Sequence, residues 1–466
     1  MTREPFPRGL YGGRQLPPPT RAAIHAVSQP TQSLETLTNA LIFGVVVMFC
    51  TISGYFLEAR GISYMSPGGN FLMKMHPGTY IMSGMFGLLA LALNPVRFIV
   101  LLWDRQGPGL VYTVCSILLF IWVVVRHGTS GTAFMIDCLI VPGLLALSMA
   151  MLTDQNRDRL YITVMVLMGI NAVIGIGEFL TRTRLTPFTI EGVEVVEPFF
   201  RPTALLGHPL QNALMTSMAF FTLPALRDRP LIALPLAILF PMALFSFGGR
   251  TAMVITAGMT TLLGTLWYLG RLFERKVSYV SFLGALGVVL GVPMAAGLVL
   301  SVLGSESRLV QEFYWDTSAQ SRLLALRIFD QLTAGDILFG IGPTGIIEQV
   351  QVLANFTGII GIENGWLLLL LHYGLFGFVV FIVTLTWFLL AITSGAPAYI
   401  RTVLVVFILI ASSNNSLAAK DSSLILLVLL AYGATCYERR QAARAKERQA
   451  REMLIPSRSL RGSNRD

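Results

Sequence analysis

Apolar runs long enough to cross a bilayer recur from about residue 37 to residue 437, with short polar segments between them. Read by length and apolarity, they predict about twelve helices, at 37–57, 78–102, 109–125, 132–152, 160–180, 205–226, 230–247, 251–270, 277–303, 363–392, 397–413 and 420–437. Asn94-Pro95 offers a break in the second. The eleventh is cut short by Ser412-Ser413-Asn414-Asn415. One long polar stretch, 304–362, separates the ninth run from the tenth. The expected fold is an all-α integral membrane protein with about twelve transmembrane helices and a large outer loop between the ninth and tenth.

The connecting charges orient these spans. With both termini cytoplasmic, the inner connections are 103–108, 153–159, 227–229, 271–276 and 393–396, and four of them carry Arg or Lys. That agrees with the positive-inside rule and favours an even number of spans. The outer segments are then 58–77, 181–204 and 304–362, which face the periplasm in a bacterium. The chain divides into a basic, proline-rich cytoplasmic segment (1–36), spans one to nine (37–303, with the outer loop 181–204), the large outer loop (304–362), spans ten to twelve (363–437) and a basic cytoplasmic tail (438–466). The segment 1–36 reads as no cleavable signal, because no short apolar core followed by small residues appears in it. Inside the large loop, 321–332 has the pattern of an amphipathic helix on the membrane surface.

With 13% charged residues and a mean hydropathy of +0.68, a soluble domain is excluded. The net charge of +9 is concentrated at the two ends, where basic residues act as retention charges or touch anionic lipid, so no nucleic-acid partner is inferred. Cys50, Cys115, Cys138 and Cys436 all fall in apolar runs without metal-ligand spacing and read as buried free thiols.

Candidate chemistry lies on the outer side, where arginine is unexpected. Arg201 ends the outer loop 181–204, ahead of Gly207-His208-Pro209-Leu210-Gln211-Asn212; its guanidinium could clamp a phosphate or, equally, a lipid headgroup or neighbouring Glu. In Ser246-Phe247-Gly248-Gly249-Arg250 the glycines allow close backbone approach and Arg250 opens a helix. A cation opposes the dipole there, so it either meets an anion or snorkels to headgroups. The large loop adds Arg322 and Arg327. Gly340-Ile341-Gly342-Pro343-Thr344-Gly345 lacks the Lys-Ser/Thr of a P-loop and reads as a tight turn. Glu363, at the head of the tenth span, is a candidate general base, or a carboxylate placed for the helix dipole. His208 is a second candidate base, whereas His372 lies within a span and reads as packing.

Taken in order, these features resemble the O-antigen ligase and Wzy-type polysaccharide polymerase superfamily. They are Arg201 before Gly-His-Pro-x-x-Asn, the Ser-x-x-Gly-Arg turn, Ser321-Arg322 ahead of Leu338-Phe339-Gly340-Ile341-Gly342, then Glu363-Asn364 and Tyr373-Gly374-Leu375-Phe376-Gly377. The resemblance covers about 160–381. It implies an inverting, metal-independent membrane glycosyltransferase with no cofactor, acting on undecaprenyl-pyrophosphate-linked glycan at the periplasmic face of the bacterial inner membrane. Catalysis would fall to Glu363, Arg201 and Arg250, and substrate binding to Arg322, Arg327, Asn364, His208 and Asn212. Its partners would be membrane lipids and a chain-length regulator and flippase of the same pathway. The ligase branch commonly has His-Asn where this chain has Glu363-Asn364, which favours a polymerase of capsule, exopolysaccharide or O-antigen repeat units.

Three other readings remain, one of them a non-catalytic membrane partner of a biosynthetic complex. A ligase would transfer finished glycan from the carrier to an acceptor. A lipid-linked glycan transporter would place ionisable groups along a path within the membrane. Only Arg97, Asp137 and Glu178 are prominent within spans, and the polar content lies mostly outside them.

Overall fold

The computed structural model describes residues 32–65, 69–190, 193–194, 200–274, 324–357, 361–415, 417 and 420–454. Its architecture is all-helical apart from one two-residue strand pair, β1 (Thr189–Ile190) with β2 (Val193–Glu194). Seven helices among the described residues are long and apolar enough to cross a membrane. They are α1 (Gln32–Thr51), α4 (Pro95–His127), α5 (Ala133–Met151), α6 (Asp154–Thr181), α8 (Pro230–Phe247), α9 (Arg250–Phe273) and α12 (Gly365–Ile392). Shorter elements lie between them: α2 (Gly54–Ala59), α3 (Pro77–Leu93), α7 (Pro209–Thr222), α10 (Ala334–Phe339), α11 (Gly342–Thr357) and α13 (Ala398–Ala411). The last, α14 (Ser423–Leu454), runs from an apolar stretch into the basic tail. The molecule is a multi-pass membrane protein.

Several expected boundaries move, each for a local reason. The run 78–102 breaks at Asn94, whose positive φ of 68° ends α3 and whose side chain caps α4. The expected connection 103–108 is reduced to a sharp break: two helical segments of α4 meet at Gln106, whose φ of −155° and ψ of 61° are not helical, two residues before Pro108. Helix α5 contains a π turn at Ile136–Ile140 carrying Asp137. The 205–226 run becomes a loop to His208, then α7 and a 3₁₀ turn at Leu223–Leu226. The 420–437 run begins as a helix at Ser423. Of the expected amphipathic helix 321–332, the described part is a 3₁₀ helix, Ala325–Gln331. The 277–303 run and all of 304–323 lie outside the described residues. The remainder of the expected large loop is not a loop throughout, because α10 and α11 occupy 334–357.

Helix α7 is the hub. Almost every residue along it is buried, and α6, α8, α9, α13 and α14 pack around it. A helix buried on all faces has no solvent-facing stripe and belongs at the centre of a bundle, and the polar side chains of α7 are small or amide groups, several of which hydrogen-bond to backbone carbonyls within the bundle. The charged connections collect at one end. Arg227 pairs with Glu438 (2.8 Å), Arg440 with Asp158 (2.5 Å), Arg439 meets Ser394 O, and Arg105 donates to Met151 O (3.1 Å). The segments around Tyr64, His208, Gly249 and Glu363 are reached from there along whole helices and form the opposite end.

The Gly-rich turn at 340–345 has a specific partner. Gly340 and Gly342 take φ of 83° and 67°, which separates α10 from α11. Gly374 breaks α12 with φ 67°, and Ile341 N donates to Leu371 O at 2.9 Å. A Cβ on Gly340 would lie 2.7 Å from Gly374 N, so each glycine makes room for the other backbone.

Candidate functional site

The site begins with the loop that presents Arg201. Glu178, near the end of α6, is buried and accepts backbone N–H groups of Leu185 (2.6 Å), Thr203 (2.8 Å) and Ala204 (2.9 Å). Asn171, two turns earlier, accepts Leu205 N (3.0 Å) and donates to Asn212 Oδ1 (2.8 Å). Asn212 in turn donates to Thr203 O (2.7 Å) and His208 O (3.0 Å). Irregular backbone among apolar helices must have its polar groups satisfied, and these three side chains do so for the loop. Arg201 therefore emerges from a rigid support.

Arg250 is placed by two glycines. Gly248 ends α8 with φ 68°, and a Cβ there would lie 3.7 Å from the Arg201 side chain. Gly249 caps α9, whose first residue is Arg250, and a Cβ on Gly249 would press on Ala213 at 2.5 Å. Close approach of α9 to the hub helix thus requires glycine at this corner.

Glu363 precedes α12 and is not part of it. Asn364 is the N-cap, accepting Trp366 N and Leu367 N, each at 3.1 Å. Gly365 N donates to Asn414 O at 2.7 Å, tying this segment to the end of α13.

These parts meet. Arg201, His208, Arg250 and Glu363 line one cavity of about 380 Å³, with Gly248, Gly249 and Ser413–Asn415 completing the polar wall. His208 is the N-cap of α7, and its Nδ1 accepts Leu210 N at 3.3 Å. Burial first, and then the charge of Arg201, push its pKa down to about 3, so it is neutral at physiological pH. The wall therefore carries two guanidinium groups against one carboxylate. Such a wall suits a polyanion held by paired N–H bonds, beside a carboxylate able to take a proton.

The other residues expected from sequence lie elsewhere. Asn212 is fully buried as a brace and does not reach the cavity. Asn364 is occupied as a cap. Arg327 is exposed on the 3₁₀ helix away from the cavity wall, and Arg322 lies outside the described residues. His372 packs on Phe134 with ring centroids 4.8 Å apart, as a buried residue of α12. Ser413, Asn414 and Asn415 join the wall beyond the residues expected from sequence; their polar run interrupting an apolar stretch is the signal that marks them.

Among the described residues, no group of three His, Cys, Asp or Glu side chains could hold a metal ion. Comparison of the chain with protein-family models and with curated proteins finds no match.

Proposed function

We propose that this chain is a membrane glycosyltransferase that polymerises undecaprenyl-pyrophosphate-linked oligosaccharide repeat units at the periplasmic face of a bacterial inner membrane. The observation that carries the reading is the convergence of Arg201, Arg250 and Glu363, distant in sequence, on one cavity at one end of the helix bundle. The product would be a capsule, an exopolysaccharide or an O-antigen. In this reading the full chain has about twelve spans, with 277–303 the ninth, both termini are cytoplasmic, and the cavity faces the periplasm.

The chemistry follows from the wall. Glu363 takes the proton of an acceptor hydroxyl as its oxygen bonds to the anomeric carbon of the donor. The bond from that carbon to the pyrophosphate oxygen breaks, and its electron pair leaves with the pyrophosphate. Arg201 and Arg250 stabilise the charge that develops there, and attack opposite the leaving group inverts the configuration. Arg322 is assigned to the same pyrophosphate by the family resemblance.

The two buried carboxylates within spans weigh against a transporter. Glu178 is taken up by three backbone N–H groups. Asp137 is taken up by Tyr64 Oη (2.7 Å), Thr79 Oγ1 (2.6 Å) and His76 N (3.0 Å). Both carboxylates are thus held by protein donors, Asp137 at the wall of a small cavity.

The test is glycan and carrier-lipid analysis of cells lacking the chain. Single repeat units accumulating on the carrier at the outer face, with long polymer lost, is the expected result. Long polymer stranded on the carrier would identify a ligase instead, and repeats held at the cytoplasmic face a flippase. Unchanged glycans would remove the reading.

A further inference from the structure

A second cavity, of about 160 Å³, adjoins the first, and the two share His208, Leu210 and Asn415. Its chemistry differs. Tyr55 contributes a half-buried aromatic ring, whereas Phe49 is stacked on His76 (4.4 Å); polar groups come from Gln211 and Ser422, bonded to each other (3.0 Å), and from Asp421, which accepts Ser423 N (2.9 Å). Its other charges are largely occupied within the protein. Asp137 is held by the three donors named above, and Lys420 donates to Tyr64 O (2.5 Å) and Lys74 O (3.3 Å) while lying over the Tyr64 ring. An aromatic ring beside a few placed polar groups matches a sugar ring, which has apolar C–H faces and a rim of hydroxyls.

His208 stands where the cavities join, its ring stacked on Tyr55 (6.1 Å) and edge-on to Phe188 (5.6 Å). Because Nδ1 accepts the Leu210 N–H, the neutral ring carries its proton on Nε2. The chain uses the same His-Pro cap a second time. His76 Nδ1 accepts Gly78 N at 3.1 Å, and there the Nε2–H is taken by Ile52 O at 2.9 Å. At His208, no protein group among the described residues takes the Nε2–H. One histidine closes on the protein, and the other presents a fixed donor at the junction.

We propose that the two cavities form one bipartite site for a glycosyl pyrophosphate. The arginine cavity takes the pyrophosphate, the aromatic cavity takes the sugar ring joined to it, and His208 Nε2–H donates to an oxygen at their junction. This rests on the function proposed above and assigns His208 as a positioning donor, not a base.

The test is equilibrium binding to the purified full chain of two probes: the carrier-linked repeat unit from cells lacking this chain, and the same carrier pyrophosphate without sugar. Wild type binds the glycosylated probe more tightly. His208→Asn retains a good N-cap but loses the ring donor, and it reduces that preference by about ten-fold, as expected for a hydrogen bond at a charged group. Tyr55→Ala reduces it as well, whereas Arg201→Ala weakens both probes. Equal wild-type affinity for the two probes would overturn the bipartite site while leaving the pyrophosphate cavity in place. So would a His208→Asn chain of normal thermal stability with the full preference. Wild type binding neither probe would instead remove the proposed function on which the site rests.

Discussion

Glu178 Oε2 accepts the N–H of Ala204 at 2.9 Å, and Ala204 holds a left-handed φ of 41°. A non-glycine residue is strained there by about 1–2 kcal/mol, so the surrounding bonds must impose the conformation. The same carboxylate fixes the loop that presents Arg201. Replacing Glu178 by Gln leaves a single acceptor oxygen for three N–H groups. The variant should lose about 1–3 kcal/mol of stability and show weaker pyrophosphate binding, although residue 178 never meets the ligand. Thermal unfolding in detergent together with binding of the sugar-free carrier measures both effects.

Substituting Arg201 or Arg250 by Ala should reduce polymer formation by about 100-fold or more, the scale of removing one stabiliser of transition-state charge. Lys should restore part of it, because it keeps the charge but not the planar fork. Normal polymer from an Arg201→Ala chain at wild-type abundance would take that residue out of the mechanism.

A Glu363→Gln chain should bind carrier pyrophosphate normally and fail in turnover by about 100-fold or more. Glu363 lies before the cap of α12, so thermal stability should barely change. A matching loss of stability would mean that the residue serves the fold.

Gly374→Ala places a Cβ against the backbone of Phe339 and Gly340 at a φ of 67°. The cost should exceed about 1 kcal/mol, and protease should cut between α10 and α11 earlier than in wild type. Unchanged cleavage kinetics would show that the paired glycines contribute no rigidity.

Acidification should weaken the fold through its two cap histidines. Burial, assisted by Arg201, lowers the pKa of His208 from an ordinary 6.5 to about 3; burial lowers His76 to about 4, against an opposing bond to Ile52 O. The unfolded chain binds more protons below pH 6.5, so stability falls as pH drops from there toward 3–4. His208→Asn should flatten part of that slope, and melting temperatures from pH 7 to pH 4.5 will show whether it does.

Much of the helical content was legible because apolar length decides it. Helix α8 begins and ends at the expected residues, and Asn94-Pro95 breaks the chain as anticipated. Asp104, Arg105 and Pro108 mark the break in 103–108, but the chain turns there at one non-helical residue, Gln106, which composition alone does not distinguish from a loop. Arg201, Arg250 and Glu363 stood out as charges on the arginine-poor side. The roles of Asn212 and Asn364 did not, since sequence cannot tell an amide that braces backbone from one that faces a ligand. The aromatic cavity was hidden for a similar reason: its wall joins residues from 49 to 425, and only tertiary packing brings them together.

The break at Gly374 has a mechanical consequence. The carbonyl of Leu371 is answered by Ile341, thirty positions earlier in the chain. Straightening α12 would give that carbonyl the N–H of Leu375 instead and leave Ile341 N without its acceptor. The upper half of α12, with Glu363 at its head, is thus latched to the short helix at 334–339. In the proposed reaction, a motion that carries the carboxylate toward an acceptor would draw this short helix along with it.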